Sequence, residues 1–363
     1  MIKKSFFLVK IFFRIPLVLV FIFLFLPFDV FAHEVYVLST QKINEAMSMQ
    51  SFNLFSVIVD NANQFVFWAF VGIVTICVVL WLSNLRFIEH LFEPIFSKIR
   101  KYSTLIARLA IGLSFLAGVY FGSIYGPEFP LLTNFGAYSN VISFTLVTIG
   151  VMIIAGLYVR LAAFIGLVIY MIMFLFHGAY MLTYLSYLGE IIVLLILGAH
   201  NFSLDKYFSM RGTEIKTKSQ IAFLFNKVHN YLLPRSFAIL RAFFGLALIY
   251  ASVYAKILHN NLALFTVQQF HLDKLFGFEP HFLVLGAAIV EILIGLFFMF
   301  GFEIRFTAIF FLFWLCLSVW FFGEAVWPHL ILLGIPIAYI FYGYDEYSLD
   351  GYFPHKKKYA LKL

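Results

Sequence analysis

Charge is what this chain has least of. Only 12% of its 363 residues are Asp, Glu, Lys or Arg, against roughly a quarter in soluble domains. Water is therefore not its main solvent. Cysteine is nearly absent too, and the two present, Cys77 and Cys316, lie inside apolar segments, which argues against a disulfide framework or a cysteine-ligated cluster. Alternation of polar and apolar residues is also missing. Stretches such as Leu283 to Phe300 run almost unbroken, whereas a transmembrane barrel would show segments of about ten residues with period two. There is no phosphate-cradling glycine loop, no nucleophile elbow, and no compact metal signature of the His-x-His or His-Glu-x-x-His kind.

What is present is apolar mass. The hydrophobic class makes up 63% of the chain, in blocks long enough to cross a hydrocarbon core of about 30 Å at 1.5 Å per residue. The expected fold class is all-α: a polytopic integral membrane protein. Nine spans are predicted, centred near residues 74, 115, 149, 170, 192, 247, 291, 314 and 336. Ahead of them, Lys3, Lys4, Lys10 and Arg14 precede an apolar stretch from Ile15 to Phe28 and small residues at Val30 and Ala32. That order reads as a signal peptide over 1–32, cleaved after Ala32, with an uncleaved first helix as the alternative.

Orientation follows from the basic residues. With the mature N-terminus outside, the inner segments collect Arg86, Lys98, Arg100, Lys101, Arg160, Lys206, Arg211, Arg235, Arg305 and the lysine-rich tail, and the outer ones keep Lys42 and Lys274. This is the positive-inside pattern. It places the chain in a bacterial-type inner membrane with a cytoplasmic C-terminus. It also accounts for the net charge of +7 without nucleic acid as a partner, and the tail reads as an anchor to anionic lipid.

The chain repeats itself. Arg108-x-x-x-Gly112 matches Arg241-x-x-x-Gly245 at an offset of 133. Beyond an insertion the offset is 145, pairing Gly156-x-x-x-Arg160 with Gly301-x-x-x-Arg305, Gly178 with Gly323, Gly189 with Gly334, and Ser203-Leu-Asp205 with Ser348-Leu-Asp350. Each unit holds four spans, an even number, so the copies are parallel. The division that results is a periplasmic segment 33–64, a span 65–83, a basic loop 84–103, repeat 1 over 104–208, a linker 209–236, repeat 2 over 237–353 and a basic tail 354–363. The inserted residues fall between about Leu258 and Pro280, in the outer loop of the second copy.

The pattern Arg241-x-x-x-Gly245, then Lys256, then Glu291, then Gly301-x-x-x-Arg305-x-x-Ala308 resembles the DoxX/DoxD family of four-helix membrane proteins, here as a tandem duplication. The resemblance covers both repeats. It implies association with membrane redox chemistry, since one branch is similar to the small membrane subunit of thiosulfate:quinone oxidoreductase. The first copy departs from the pattern, with Leu146 in the place of Glu291 and Ser123 near that of Lys256, so a family site is expected in the second copy alone.

Glu291 lies about ten residues into its span, where a carboxylate costs several kcal/mol unless protonated, paired or hydrated. It is the first candidate for proton exchange, with a packing contact paired to Lys256 as the alternative. Lys256 would tune it, and His281 and His329 would support it as acid/base groups. A quinone or similar lipid-soluble partner, or a redox protein of the membrane or periplasm, is the implied company. Glu190, in the first copy, is expected to snorkel or pair. Arg108 and Arg241 are expected to send their heads to the interface while their stems stay in lipid. A second reading is metal handling. His33, His259, His271 and His329 would gather at the outer face, where imidazoles suit copper, zinc or iron. A third is a non-catalytic assembly or scaffold role.

Overall fold

The computed structural model describes Leu38, residues 40–60, part of 65–76, and 91–198, 202–209 and 229–352. The signal peptide, His33, most of the span near residue 74, the linker 210–228 and the tail from 353 lie outside the described residues.

The protein is an all-α polytopic membrane protein. Among the described residues six helical runs are long and apolar enough to cross a membrane, and a shorter apolar helix, Trp327–Tyr342, joins them. Together they resolve into two quartets. Repeat 1 comprises α1 (Ser103–Tyr120), α2 (Ser139–Ala155), α3 (Val159–His177) and α4 (Leu185–Leu197). Repeat 2 comprises α5 (Ser236–Ser252), α6 (Pro280–Phe300), α7 (Ile304–Phe322) and α8 (Leu330–Tyr342). The predicted loop 84–103 is helical in its later part, because Leu91–Tyr120 forms one run. The run Val159–Leu197 contains two predicted spans, and Gly178, at φ 56° and ψ −136°, breaks it between α3 and α4. A short antiparallel hairpin, Ser123–Ile124 with Gly126–Pro130, caps the end of α1.

The backbone repeats as the sequence does. Gly156 and Gly301 end α2 and α6 in the left-handed region at φ 69° and 67°, and Tyr158 and Glu303 follow at φ 45° and 43°. Glycine fits the first of these positions because a Cβ is disfavoured there. In each turn the carboxylate of Asp205 or Asp350 accepts from the backbone N–H of the left-handed residue. These turns define a tight-turn face. The opposite, long-loop face carries the α1–α2 and α5–α6 connections.

Packing joins the copies more firmly than a simple tandem would. Within a repeat the first and second helices meet closely, Gly112 against Gly150 and Gly245 against Gly295. The fourth helix, however, packs chiefly on the first helix of the other copy: α4 on α5 and α8 on α1. Gly189 abuts Phe243 and Gly334 abuts Ala110, with no room for a Cβ at either place. No residue of α4 or α8 is exposed. The four helices α1, α4, α5 and α8 thus form the centre. Large apolar side chains are exposed on the outer helices, among them Phe144, Leu175, Phe313 and Trp320, a surface suited to hydrocarbon.

Two arginines, Arg108 and Arg241, correct the interfacial expectation, and Arg305 shares their burial. Arg108, Arg241 and Arg305 are all buried. Arg108 donates to the Phe202 carbonyl at 2.6 Å, and Arg241 donates to the Tyr347 carbonyl at 2.9 Å and faces Asp345 at 3.7 Å. Arg305 donates to the Ile340 carbonyl at 3.3 Å and pairs with Glu93. Each lies where chain ends converge at the tight-turn face, and carbonyls unused by helices are natural acceptors for a guanidinium.

Candidate functional site

Sequence reasoning brings Lys256 to the end of α5, and the structure shows how. The helix does not stop at Ser252 but continues as a π-helical turn, Val253–Leu258. Such turns carry an extra residue and often mark functional positions. Here the turn buries Lys256 and directs Nζ to Glu291 Oε2 at 2.9 Å.

Glu291 retains 26% side-chain exposure, and helical geometry says toward what. The lipid-facing side of α6 is marked by exposed Ile289, Leu293 and Phe297. At about 100° per residue, Glu291 points about 120–160° away from each of them. Its accessible edge therefore opens inward. A cavity of about 90 Å³ lies there, bounded by Lys256 and Glu291, by Tyr254 of the π-helical turn, by Tyr180, Tyr184 and Tyr187 from repeat 1, and by His329. Two of its walls are 3₁₀ segments, Gly178–Tyr184 and Trp327–His329, that lead into α4 and α8. Non-helical backbone at membrane depth is tolerated where it is covered by protein or lines a cavity.

His329 is buried opposite the ion pair. Its Nδ1 is 2.8 Å from the Ala325 carbonyl; a carbonyl only accepts, so this nitrogen carries the hydrogen. Nε2 then faces Glu324 Oε2 at 3.2 Å, and Glu324 also accepts from Ser318. The cavity thus has an ammonium–carboxylate pair and a buried imidazole in its wall.

At the symmetry-related place the first copy is plugged. Phe121 and Trp327 stack at 5.4 Å. The hairpin also drives Tyr125 into contact with Tyr170 and Tyr187, at 5.9 Å and 4.8 Å. Burial pushes the Tyr125 phenol well above its ordinary value, so that plug holds its proton.

Of the four residues expected to share acid/base work, Lys256, Glu291 and His329 line one cavity. His281 does not line it. It lies at the first turn of α6, paired with Glu279 and edge-on to Phe52 at 4.3 Å. The histidines considered for metal go to different neighbours. His259 rests on Tyr254 at 4.6 Å, His271 is exposed at the start of Leu272–Phe276, and His329 faces Glu324. Among the described residues no group of three or more His, Cys, Asp or Glu side chains is placed to hold a metal ion. Glu190, expected to snorkel or pair, is fully buried, and among the described residues neither of its oxygens has a hydrogen-bond partner.

Sequence reasoning passed over Glu128. It accepts from Tyr180 at 3.4 Å and from Tyr184 beside the cavity. A lone glutamate in a loop of mixed polarity gives no periodic signal that would single it out. The inserted loop holds another feature. Asn260 exchanges two hydrogen bonds with the backbone of Phe52, at 3.2 Å and 2.7 Å. Asn261 reaches the Gln50 carbonyl at 3.2 Å. The helix Asn260–Gln269 thereby clamps the segment 49–52, and Leu54 and Val57 pack on Ala263, Val267, Val284 and Leu285. No family model, curated protein or solved structure matches this chain.

Proposed function

We propose that this protein is a membrane subunit that exchanges protons with the polar head of a lipid-soluble partner at the Lys256–Glu291 cavity, quinone being the class that fits the reading. The observation that carries it is the inward-opening ion pair, 2.9 Å across, which shares its cavity with the buried His329, whose Nε2 lies 3.2 Å from Glu324 Oε2. A quinone headgroup needs donors when it arrives oxidised and acceptors when it leaves reduced, and these groups supply both. The volume sets the pose. A cavity of about 90 Å³ is smaller than the roughly 150 Å³ that houses a benzene ring, so it takes the polar edge of a headgroup and leaves the rest of the ring outside. Tyr180 and Tyr254, 5.3 Å apart, offer aromatic faces beside it. The resemblance to DoxX/DoxD proteins points the same way, as does the departure of the first copy, whose equivalent place is plugged. In this reading the long-loop face is the outer one, the C-terminus is cytoplasmic, and a redox protein of the membrane or periplasm supplies the electrons.

The test is binding. Decylubiquinone titrated into the protein in nanodiscs should quench tryptophan fluorescence saturably, since Trp327 adjoins the cavity wall at Pro328. Glu291→Gln and Lys256→Met should weaken that binding while leaving the protein folded. Equal quenching in wild type and both variants, or none that saturates, refutes the assignment.

A further inference from the structure

Glu190 has no packing reason to be a glutamate. It follows Gly189, which abuts Phe243 of α5, and so lies in the central four-helix core at 0% exposure. A buried carboxyl without a partner costs several kcal/mol as an ion and about 2–7 kcal/mol even when neutral. Its counterpart 145 residues on is Ile335, equally buried at 0%, so an aliphatic side chain satisfies the same position in the other copy. The duplication carries the mirror case as well, Glu291 in one copy and Leu146 in the other. Two carboxyls, each missing from the opposite repeat, therefore face one seam.

Spacing connects them. Ser186 and Tyr187 stand four and three residues before Glu190, on its side of α4, and both line the cavity. Glu190 is thus about one helical turn, or 5.4 Å, below the cavity wall. Glu291 lies level with α5 residues 249–250, between the Gly245–Gly295 contact and the Ser252–Ala288 hydrogen bond. Glu190 lies level with Phe243. The two carboxyls differ in depth by about 10 Å at 1.5 Å per residue. From α1, Ser114 faces Tyr187. From α8, Tyr339 lies within electrostatic reach of Glu190, Asp345 and Arg241 alike. Asp345 is buried beside Arg241 at 3.7 Å, and among the described residues its Oδ2 has no hydrogen-bond partner.

We propose that Glu190 is the relay carboxyl of a proton path along the seam between the repeats, running from the Lys256–Glu291 cavity to the Arg241–Asp345 cluster at the tight-turn face. The neutral acid passes its proton to the Asp345 carboxylate, which hands it on to water at the tight-turn face, and Glu190 is reloaded from the cavity side. One proton crosses, and Glu190 returns to its starting state. The Ser186 hydroxyl, with water for which the cavity has room, spans the upper step beside Tyr187, whose own hydroxyl donates to the Tyr125 carbonyl; the Tyr339 hydroxyl, which donates to the Phe237 carbonyl, flanks the lower one and can accept there. The path stands whether or not a quinone occupies the cavity.

The full chain reconstituted in liposomes tests this. With an imposed potassium diffusion potential and an entrapped pH dye, wild type should take up protons faster than protein-free liposomes. Glu190→Gln, equal in size and unable to exchange an acidic proton, should cut the rate about a hundredfold, the low end of what a positioned proton-transfer group contributes. Glu190→Asp should restore part of it. Glu190→Ile, copying the second repeat, should fold and stay blocked, which keeps the test decisive if the glutamine variant misfolds. A folded Glu190→Gln or Glu190→Ile protein that conducts like wild type overturns the proposal, as does a wild type no faster than empty liposomes. Quinone quenching should be unchanged in these variants, so a failed path and a failed binding site give different results.

Discussion

The Lys256–Glu291 pair invites a double-mutant cycle, because the first copy supplies the apolar reference state. Glu291→Leu installs the residue found at the equivalent position, and Lys256→Met removes the ammonium while keeping much of the stem. Removing one partner of a buried pair costs about 3–5 kcal/mol. Here the two side chains are 10% and 26% exposed, so the cavity hydrates part of whichever charge is left. Each single variant should therefore lose about 2–3 kcal/mol, less than a sealed pair would. The double variant should lose less than about 1 kcal/mol, since replacing a buried pair by apolar groups is often close to neutral. The coupling between the sites then comes to about 3–5 kcal/mol. Denaturant unfolding in mixed micelles, followed by near-ultraviolet circular dichroism, measures all four corners. A double variant that loses the full sum of the single losses would show the pair to be uncoupled and refute the reasoning.

The other expectations are briefer. Gly334→Leu should destabilise by at least about 1–3 kcal/mol, because its Cβ meets Ala110. Gly286→Ala, with nothing within 4 Å of its Cβ, should leave thermal stability unchanged. Glu93→Gln strips the buried Arg305 of its carboxylate and should cost about 3–5 kcal/mol in the same unfolding assay. Asn260→Ala breaks the clamp on Phe52, and limited proteolysis should then cut within residues 49–60 sooner than in wild type. Burial raises the Asp345 carboxyl above its ordinary value, with Arg241 offsetting part of the effect. Folding therefore favours the protonated form there. The contribution of this residue to stability is greatest at low pH and falls as pH rises through its folded value; Asp345→Asn should flatten that slope.

Much of the architecture could be read from residues alone because membrane physics leaves strong marks. Span length and the offset of 145 between turn glycines each follow from a constraint that acts locally. The match of φ at Gly156 and Gly301, 69° and 67°, is that constraint made visible. What could not be read depends on which helices become neighbours. Arg108 and Arg241 carry the spacing of interfacial side chains, yet the convergence of Phe202 and Tyr347 on them buries them instead. His281 and His329 looked alike as histidines near span ends. Only the 3₁₀ segment before α8 turns one into the cavity, while the other stays with Glu279. Glu190 gave a weak signal because an acidic residue a few positions inside a span ordinarily has a short path to water. The packing of α4 on α5 closes that path.

That same exchange of fourth helices bears on what a single copy could be. A lone quartet of this kind would leave the apolar sides of its first and last helices without cover, and it could not bury them against itself. Such a unit would have to exist as a symmetric pair, each member completing the other's interior. Joining two such units in one polypeptide releases them from identity. One half is then free to fill its pocket with aromatic rings while the other keeps the pocket open, a specialisation that no pair of identical chains could reach.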